Sequence, residues 1–459
     1  MLRRHHRIFL YGTLLGELLR AWFIVRFPRV AGDSLVYGDI ARNWLHHGVF
    51  GLTENGVPVP TYIRLPGYPA FLAANFAVFG DHFMPVLIAQ MLIDLCGCFV
   101  IAGLAEGLLE GSGAFAFVLA ALCPFTANYV ALPLTETLEI FFTALAMLLI
   151  VRGTKKLSVG PLALKLWIFA GVAIGACILL RPDGGILLAA FGTYLVVRML
   201  RGREFLRPLA SGVLVGVIAL GMLVPWTFRN WRVFHEFRPL APRYANAPGE
   251  FVPAGFNRWV KTWILDYVSV EDIYWRVPTE SPEEAARFES LPARACDNAG
   301  ECLLTRSLLQ RTAEQTDITP DIDAEFARLA QARIAHHPLR HYVLLPAGRI
   351  ADMWLRPRTE MLPLDQRWWR FDDPPESAIA ILMGAINLAL LALAAYGAWV
   401  CRRSPAAVFL LIFVVLRSLF LGTLENPEPR YTLECFPAAL AWAGVAIGSL
   451  VTGSRPAPA

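Results

Sequence analysis

Six short polar groups hold the side chains of this sequence that can do chemistry. They are Asp33 in GDSLVYGDIARNW, Arg64 in TYIRLPGYP, Glu136 in PLTETLE, Arg181 and Asp183 in LLRPDGG, Arg229 and Asn230 in PWTFRNW, and Glu425, Glu428, Arg430 and Tyr431 in LENPEPRYTLE. Five of the groups stand at the end of a long apolar block, and Arg64 closes the loop that follows the first block. A charge at the centre of a bilayer costs about 2.5–3.5 kcal/mol on insertion scales, so charges gathered beside such blocks need a reason. The planar fork of arginine fits the oxygens of a phosphate. A carboxylate across from it can take a proton from an incoming hydroxyl or amine. Together they suit transfer of a group from a lipid phosphate whose tail lies among apolar helices.

The elements that must position these groups follow from composition. Of 459 residues, 56% are apolar and only 17% are charged. A soluble chain carries about 25% charged residues, so disordered, fibrous and soluble-enzyme classes are set aside. A net charge of +4 is too slight to argue for nucleic acid. A span needs about 20 apolar residues. Blocks of that length begin near Ile8, Met84, Ala114, Thr135, Leu166, Gly185, Leu209, Ala378, Ala406 and Tyr431, with Pro124 interrupting the third. The expected fold is an all-α polytopic membrane protein of about ten transmembrane helices. Residues 69–79 are apolar but short, and read as an interfacial helix leading into the second span. The first block carries Glu17 and Arg20, and reads as an uncleaved anchor rather than a signal peptide.

Lys and Arg in short loops set the orientation. Arg3, Arg4 and Arg7, then Arg152, Lys155 and Lys156, then Arg198, Arg201, Arg203 and Arg207, then Arg402 and Arg403 all fall on one side if there are ten spans. That side is the cytoplasm, with both termini on it, and the six polar groups face the other way. The expected organisation is a transmembrane module over 1–227 with a first outer loop at 30–65, a mainly helical extracytoplasmic domain over 228–377, and C-terminal transmembrane helices over 378–459. Within the outer domain, helices are expected at 281–289, started by Pro282, and at 321–336, opened by Thr319 and Pro320. Residues 341–355 are apolar but carry Arg349, Asp352 and Trp354, and are expected to lie along the outer membrane surface.

Other polar residues have plainer readings. Glu17 and Arg20 share a helix face and are expected to form a bundle-facing ion pair. Asp94 lies deep in the second span, with Arg417 as a candidate partner. Cys296 and Cys302, in CDNAGEC, lie in the outer domain and are expected to form a disulfide in an oxidising compartment. No His or further Cys stands nearby at ligand spacing, so no metal is expected. Asp33 also has the type of a helix cap, Glu136 of a first-turn acid, and Arg229 of a loop anchor. There is no Gly-rich phosphate loop and the cytoplasmic loops are short, so no nucleotide or other cofactor is expected.

The residues from Asp33 to Phe71 resemble the first outer loop of bacterial membrane glycosyltransferases of the C superfold. Within it they are most similar to the dolichyl-phosphate-mannose-protein mannosyltransferase and aminoarabinose transferase relatives. The likeness rests on Asp33, Tyr37 one helical turn later, Ala41, Asn43 and Leu45, then Gly48, Phe50 and Arg64 with PGYPAFLAANFAVFG. It continues in LTETL, LLRPDG, PWTFRNW and PRYTLECFP. Many members carry two adjacent acids in that loop, whereas here Ser34 follows Asp33 and the next acid is Asp39.

The resemblance implies a membrane glycosyltransferase that moves a sugar from a polyprenyl-phosphate donor to an envelope acceptor, be it lipid, glycan or protein. Asp33 is then the expected general base, and Glu136 a second acid. Arg64, Arg181, Arg430 and Tyr431 are expected on the donor phosphate, with Tyr37, Asp39 and Arg229 as further candidates. A single base opposite the leaving group implies inversion. The expected place is the bacterial inner membrane, with the site on the periplasmic side. The rival reading is a transporter or lipid flippase. Transporters gather polar groups near the midplane, often in two related halves, and neither feature is present in the sequence.

Overall fold

The structure is a computed structural model and describes residues 5–30, 32–155, 161–201, 205–247, 249–278 and 291–453. The helix expected at 281–289 lies outside these residues, as do Arg3, Arg4, Lys156 and Arg203 of the basic clusters. Among the described residues, nine helices are long and apolar enough to cross a membrane, or ten if one bent pair counts as a span. The polytopic all-α expectation therefore holds. The bent pair is α5 (Gly113–Ala121) and α6 (Pro124–Ala127), continued by a 3-10 turn at Asn128–Ala131. The two limbs are inclined by 48° where Pro124 stands. Proline brings no N–H to the ladder and its ring crowds the preceding turn, so the break falls there.

The other elements, in chain order, frame the polar groups. They are α1 (His6–Arg26), α2 (Asp33–His47), β1 (Gly51–Glu54), β2 (Val57–Pro60), α3 (Gly67–Phe79), α4 (Phe83–Leu108), α7 (Glu136–Lys155), α8 (Pro161–Leu180), α9 (Gly185–Arg201), α10 (Leu206–Gly221) and α11 (Val224–Phe234). After them come α12 (Ala254–Val260), α13 (Ala299–Gln315), α14 (Pro320–His336), α15 (Leu345–Leu355), α16 (Pro374–Val400), α17 (Pro405–Gly422) and α18 (Phe436–Thr452). Strands β1 and β2 form an antiparallel hairpin closed by Asn55 and Gly56, both at positive φ. An Asn-Gly pair adopts that mirror-image turn at little cost.

Contacts divide the chain into two compact units. The first comprises residues 1–248, 388–416 and 433–459. In it α4 packs on α7, α7 on α8, α8 on α10, and α5 on α18. Gly67 starts α3 against the end of α8, where an added Cβ would lie 2.6 Å from the Leu179 carbonyl oxygen. That close approach sets the chain just after Arg64 beside the chain just before Arg181. Deeper in the bundle, Arg20 and Asp94 are both buried and meet at 2.5 Å. Arg20 also donates to the carbonyls of Gly16 at 2.9 Å and Ala121 at 2.8 Å. This corrects the expected pairings of Arg20 with Glu17 and of Asp94 with Arg417. A guanidinium in hydrocarbon takes the strongest acceptor that packing brings, and α4 brings Asp94.

The second unit comprises residues 249–387 and 417–432. Trp259, Trp263, Leu308 and Phe326 lie in its fully buried core. Pro320 opens α14, and Asp323 in its first turn accepts from the backbone N–H groups of Gly255 at 3.0 Å and Phe256 at 2.8 Å. Cys296 and Cys302 are joined by a disulfide. The polar side of α15 turns into this unit. Arg349 donates to the carbonyls of Lys261 at 2.5 Å, Ile264 at 2.8 Å and Gly422 at 3.2 Å. Tyr342, Val343, Leu344 and Leu355, along the same stretch, are exposed.

Candidate active site

Helix α2 starts abruptly. Gly32 precedes it at φ +55°, a conformation that costs a side-chain-bearing residue dearly. Asp33 is the first helical residue, and the residue before it supplies no side-chain cap. The Asp33 carboxylate accepts a hydrogen bond from Arg64 Nη2 at 2.6 Å. It remains 42% exposed, against 19% for Arg64. A carboxylate that is paired yet open to solvent is placed to meet a substrate.

The loop that delivers Arg64 is held by two residues that the sequence offered as site candidates. Asp39 accepts from the Thr53 backbone N–H at 2.7 Å and its hydroxyl at 2.8 Å. Arg229 donates to the carbonyls of Phe50 at 2.6 Å and Thr61 at 2.7 Å, on either side of the hairpin. Its guanidinium also lies 5.2–5.3 Å from the ring centroids of Phe50, Trp226 and Phe234. Asp39 and Arg229 thus fasten the first loop.

Tyr37 lies one turn after Asp33, with the Arg64 guanidinium 5.7 Å from its ring centroid. Tyr68 meets that ring edge-on at 5.1 Å. Burial pushes the Tyr37 phenol up, and the charges that act on it are Arg64, Asp33, Arg181 and Glu136. Both acid–arginine groups thus act on this one phenol. Burial also pushes up the Tyr68 phenol, with Glu136 adding to the effect.

Arg181 sits among acids. Its guanidinium is 3.2 Å from Asp183, 3.7 Å from Glu139 and 3.8 Å from Glu136. Glu434 adds a fourth negative neighbour. Glu136, Glu139 and Glu434 are all buried. Burial works to lower the Arg181 pKa, but the surrounding carboxyls hold it above its ordinary value. These carboxyls are partners of Arg181 that stand beside the donor-phosphate role expected of it. Set among these acids, the guanidinium offsets carboxyls that packing has taken out of water. Glu139 could have been found from its three-residue spacing to Glu136. Glu434 is a distant residue that only packing brings to Arg181.

Arg430 and Tyr431 belong to the second unit. Glu428 pairs with Arg430 Nε at 2.6 Å and accepts from the Tyr431 hydroxyl at 2.6 Å. The guanidinium of Arg430 is 5.3 Å from the Tyr431 ring centroid. Arg417 donates to the Tyr431 carbonyl at 3.1 Å. Glu425 lies 3.8 Å from Lys261 Nζ. Among the described residues, no group of three or more His, Cys, Asp or Glu is arranged to hold a metal ion.

Residues 60–228 match the family model described as dolichyl-phosphate-mannose-protein mannosyltransferase. That stretch contains Arg64, Glu136 and Arg181, and starts after Asp33. No curated protein matches the chain. Among solved structures, archaeal oligosaccharyltransferase AglB from Archaeoglobus fulgidus, in complex with an inhibitory peptide and a dolichol-phosphate, is similar with a TM-score of 0.57 at 11% identity, over 100% of this chain and 53% of that one. The oligosaccharyltransferase from Archaeoglobus fulgidus tethered to an acceptor peptide gives 0.55 at 12% identity, over 99% of this chain and 52% of that one. ArnT from Cupriavidus metallidurans bound to undecaprenyl phosphate gives 0.43 at 14% identity, over 97% of this chain and 78% of that one. The chain thus spans about half the length of the oligosaccharyltransferases it matches. It shares the fold of those oligosaccharyltransferases.

Proposed function

We propose that this protein transfers a sugar from a polyprenyl-phosphate donor to an acceptor outside the cytoplasm. The observation that carries this reading is the pairing of Asp33 with Arg64 at the start of α2, beside the phenol of Tyr37. In the step we assign, the Asp33 carboxylate takes the proton of an acceptor hydroxyl or amine. The acceptor atom then bonds to the anomeric carbon as the bond from that carbon to the phosphate oxygen breaks. The phosphate leaves with the electron pair, and Arg64 offsets its growing charge. Attack opposite the leaving group inverts the anomeric centre.

What supports the reading is the match of residues 60–228 to a mannosyltransferase family model and the shared fold. AglB was solved with a dolichol-phosphate, and a related oligosaccharyltransferase with an acceptor peptide. The test is transfer of labelled sugar from a synthetic polyprenyl-phosphate donor by purified protein, offered envelope lipid, glycan and peptide acceptors in turn. Transfer by wild type and its loss in Asp33→Asn is the expected result. Equal transfer by both would remove Asp33 as the base. No transfer to any acceptor would remove the activity.

A further inference from the structure

A buried amide in the second span joins the two halves of the acid–arginine cluster. Gln90 is fully buried within α4. Its Oε1 accepts the Tyr68 hydroxyl at 2.6 Å, and its Nε2 donates to the carbonyls of Leu132 at 2.7 Å and Val130 at 3.3 Å. A polar side chain inside a span has a desolvation cost and is retained where it meets a structural or chemical need.

The partners show what Gln90 connects. Tyr68 follows Arg64 by four residues and packs against Tyr37, which lies one turn from Asp33. Val130 and Leu132 belong to the irregular stretch that ends at Glu136, the first residue of α7. That stretch has little ladder of its own. It contains Pro133, and the amides of Leu132 and Leu134 make short local bonds of 3.2 Å and 2.9 Å to Tyr129 and Leu132. One amide therefore ties the helix that follows Arg64 to the turn that leads into Glu136.

We propose that Gln90 is a positioning residue: through Tyr68 it holds the first-loop pair in register with the turn into Glu136, which it holds through the Val130 and Leu132 carbonyls, so that Asp33 and Arg64 keep their place toward the substrate. This rests on the transferase reading above. Misplacing a reacting group by about 1 Å is enough to lower turnover about a hundredfold.

The test uses the full chain in lipid nanodiscs as wild type, Gln90→Leu, Tyr68→Phe and the double variant. Hydrogen–deuterium exchange is followed at residues 128–135. Exchange there should rise in Gln90→Leu while the amides in the middle of α7 keep their protection. Turnover should fall by about tenfold to a hundredfold in Gln90→Leu with little change in donor KM, and less in Tyr68→Phe. The two changes should be non-additive, because they cut one connection. Unchanged exchange in Gln90→Leu, additive effects, or a rise in donor KM alone would overturn the proposal. Should Gln90→Leu fail to fold, Tyr68→Phe carries the same comparison, since it removes one oxygen and keeps the ring. Absence of transfer by wild type would defeat the transferase reading, and the exchange measurement would still decide whether Gln90 holds the turn.

Discussion

Asp33 and Arg64 lie 31 residues apart and meet at 2.6 Å, an acid and a base brought together by a hairpin that neither belongs to. The pair gives each partner a distinct kinetic signature. Asp33→Asn keeps size and hydrogen bonding but cannot take a proton, so turnover should fall by about 10²–10⁴ with donor affinity nearly intact. Arg64→Ala should raise the donor KM as well as lower turnover. Arg64→Lys should lie between, because a point charge lacks the fork that grips two phosphate oxygens. Steady-state rates against donor concentration separate these outcomes, and full turnover in Asp33→Asn would remove the assignment.

Arg229 makes its contribution at a distance from the proposed chemistry. Replacing it by Gln leaves the Phe50 and Thr61 carbonyls without their charged donor, at a cost of about 1–3 kcal/mol. The melting temperature in detergent should drop, and turnover should fall with it as Arg64 loses its register. Arg229→Lys should recover only part of both, since one ammonium cannot reproduce a planar fork lying between two carbonyls and three rings. A variant that melts and turns over like wild type would show that the hairpin needs no such clamp.

The sequence was most informative where the bilayer dictates the answer. Among the described residues, nine of the ten apolar blocks became helices long enough to span and the block with Pro124 became a bent pair, because hydrocarbon thickness fixes length and a missing N–H fixes a break. Residue type also pointed to Asp33 and Arg64, though not to their pairing. The surroundings of Arg181 were not legible, because its neighbours come from α7, from the turn after α8 and from the chain leading into α18. Only packing shows that carboxyls surround it. Gln90 passed unnoticed as a lone amide in an apolar run. The close approach of Gly67 to Leu179 was equally invisible, since it depends on a backbone far away in sequence. The inward turn of the charged face of α15 depends on carbonyls of Lys261, Ile264 and Gly422 that local pattern cannot supply.

Asp352, on α15, gives the second unit a pH dependence whose sign is fixed. Its carboxyl accepts the Tyr267 N–H at 3.1 Å and lies 3.5 Å from Arg356. Burial is the largest influence and pushes its pKa up from 3.8 to about 6, against the pull of Arg356. A carboxyl with a raised folded value binds its proton more tightly when folded. Its contribution to stability is complete below its unfolded value of 3.8 and is lost as pH rises through about 6. Asp352→Asn carries no such charge. Melting temperatures of the variant and wild type should agree near pH 4, and the variant should gain on wild type between pH 4 and 7. A constant difference across that range would show that Asp352 does not titrate there.

Arg181 offers the sharpest contrast between two tasks for one residue. If it neutralises Glu136, Glu139, Asp183 and Glu434, then Arg181→Gln leaves buried carboxyls without their cation. Breaking a buried pair in this way costs about 3–5 kcal/mol, so the melting temperature should fall steeply. Adding Glu139→Gln should restore part of the loss, because it removes one of the stranded charges. A phosphate ligand would behave otherwise. Its removal would leave stability unchanged and raise the donor KM, and Glu139→Gln would give no rescue. The acids that crowd Arg181 in this fold argue for the first pattern, and the double variant reports it through stability alone, whatever sugar or acceptor the protein uses.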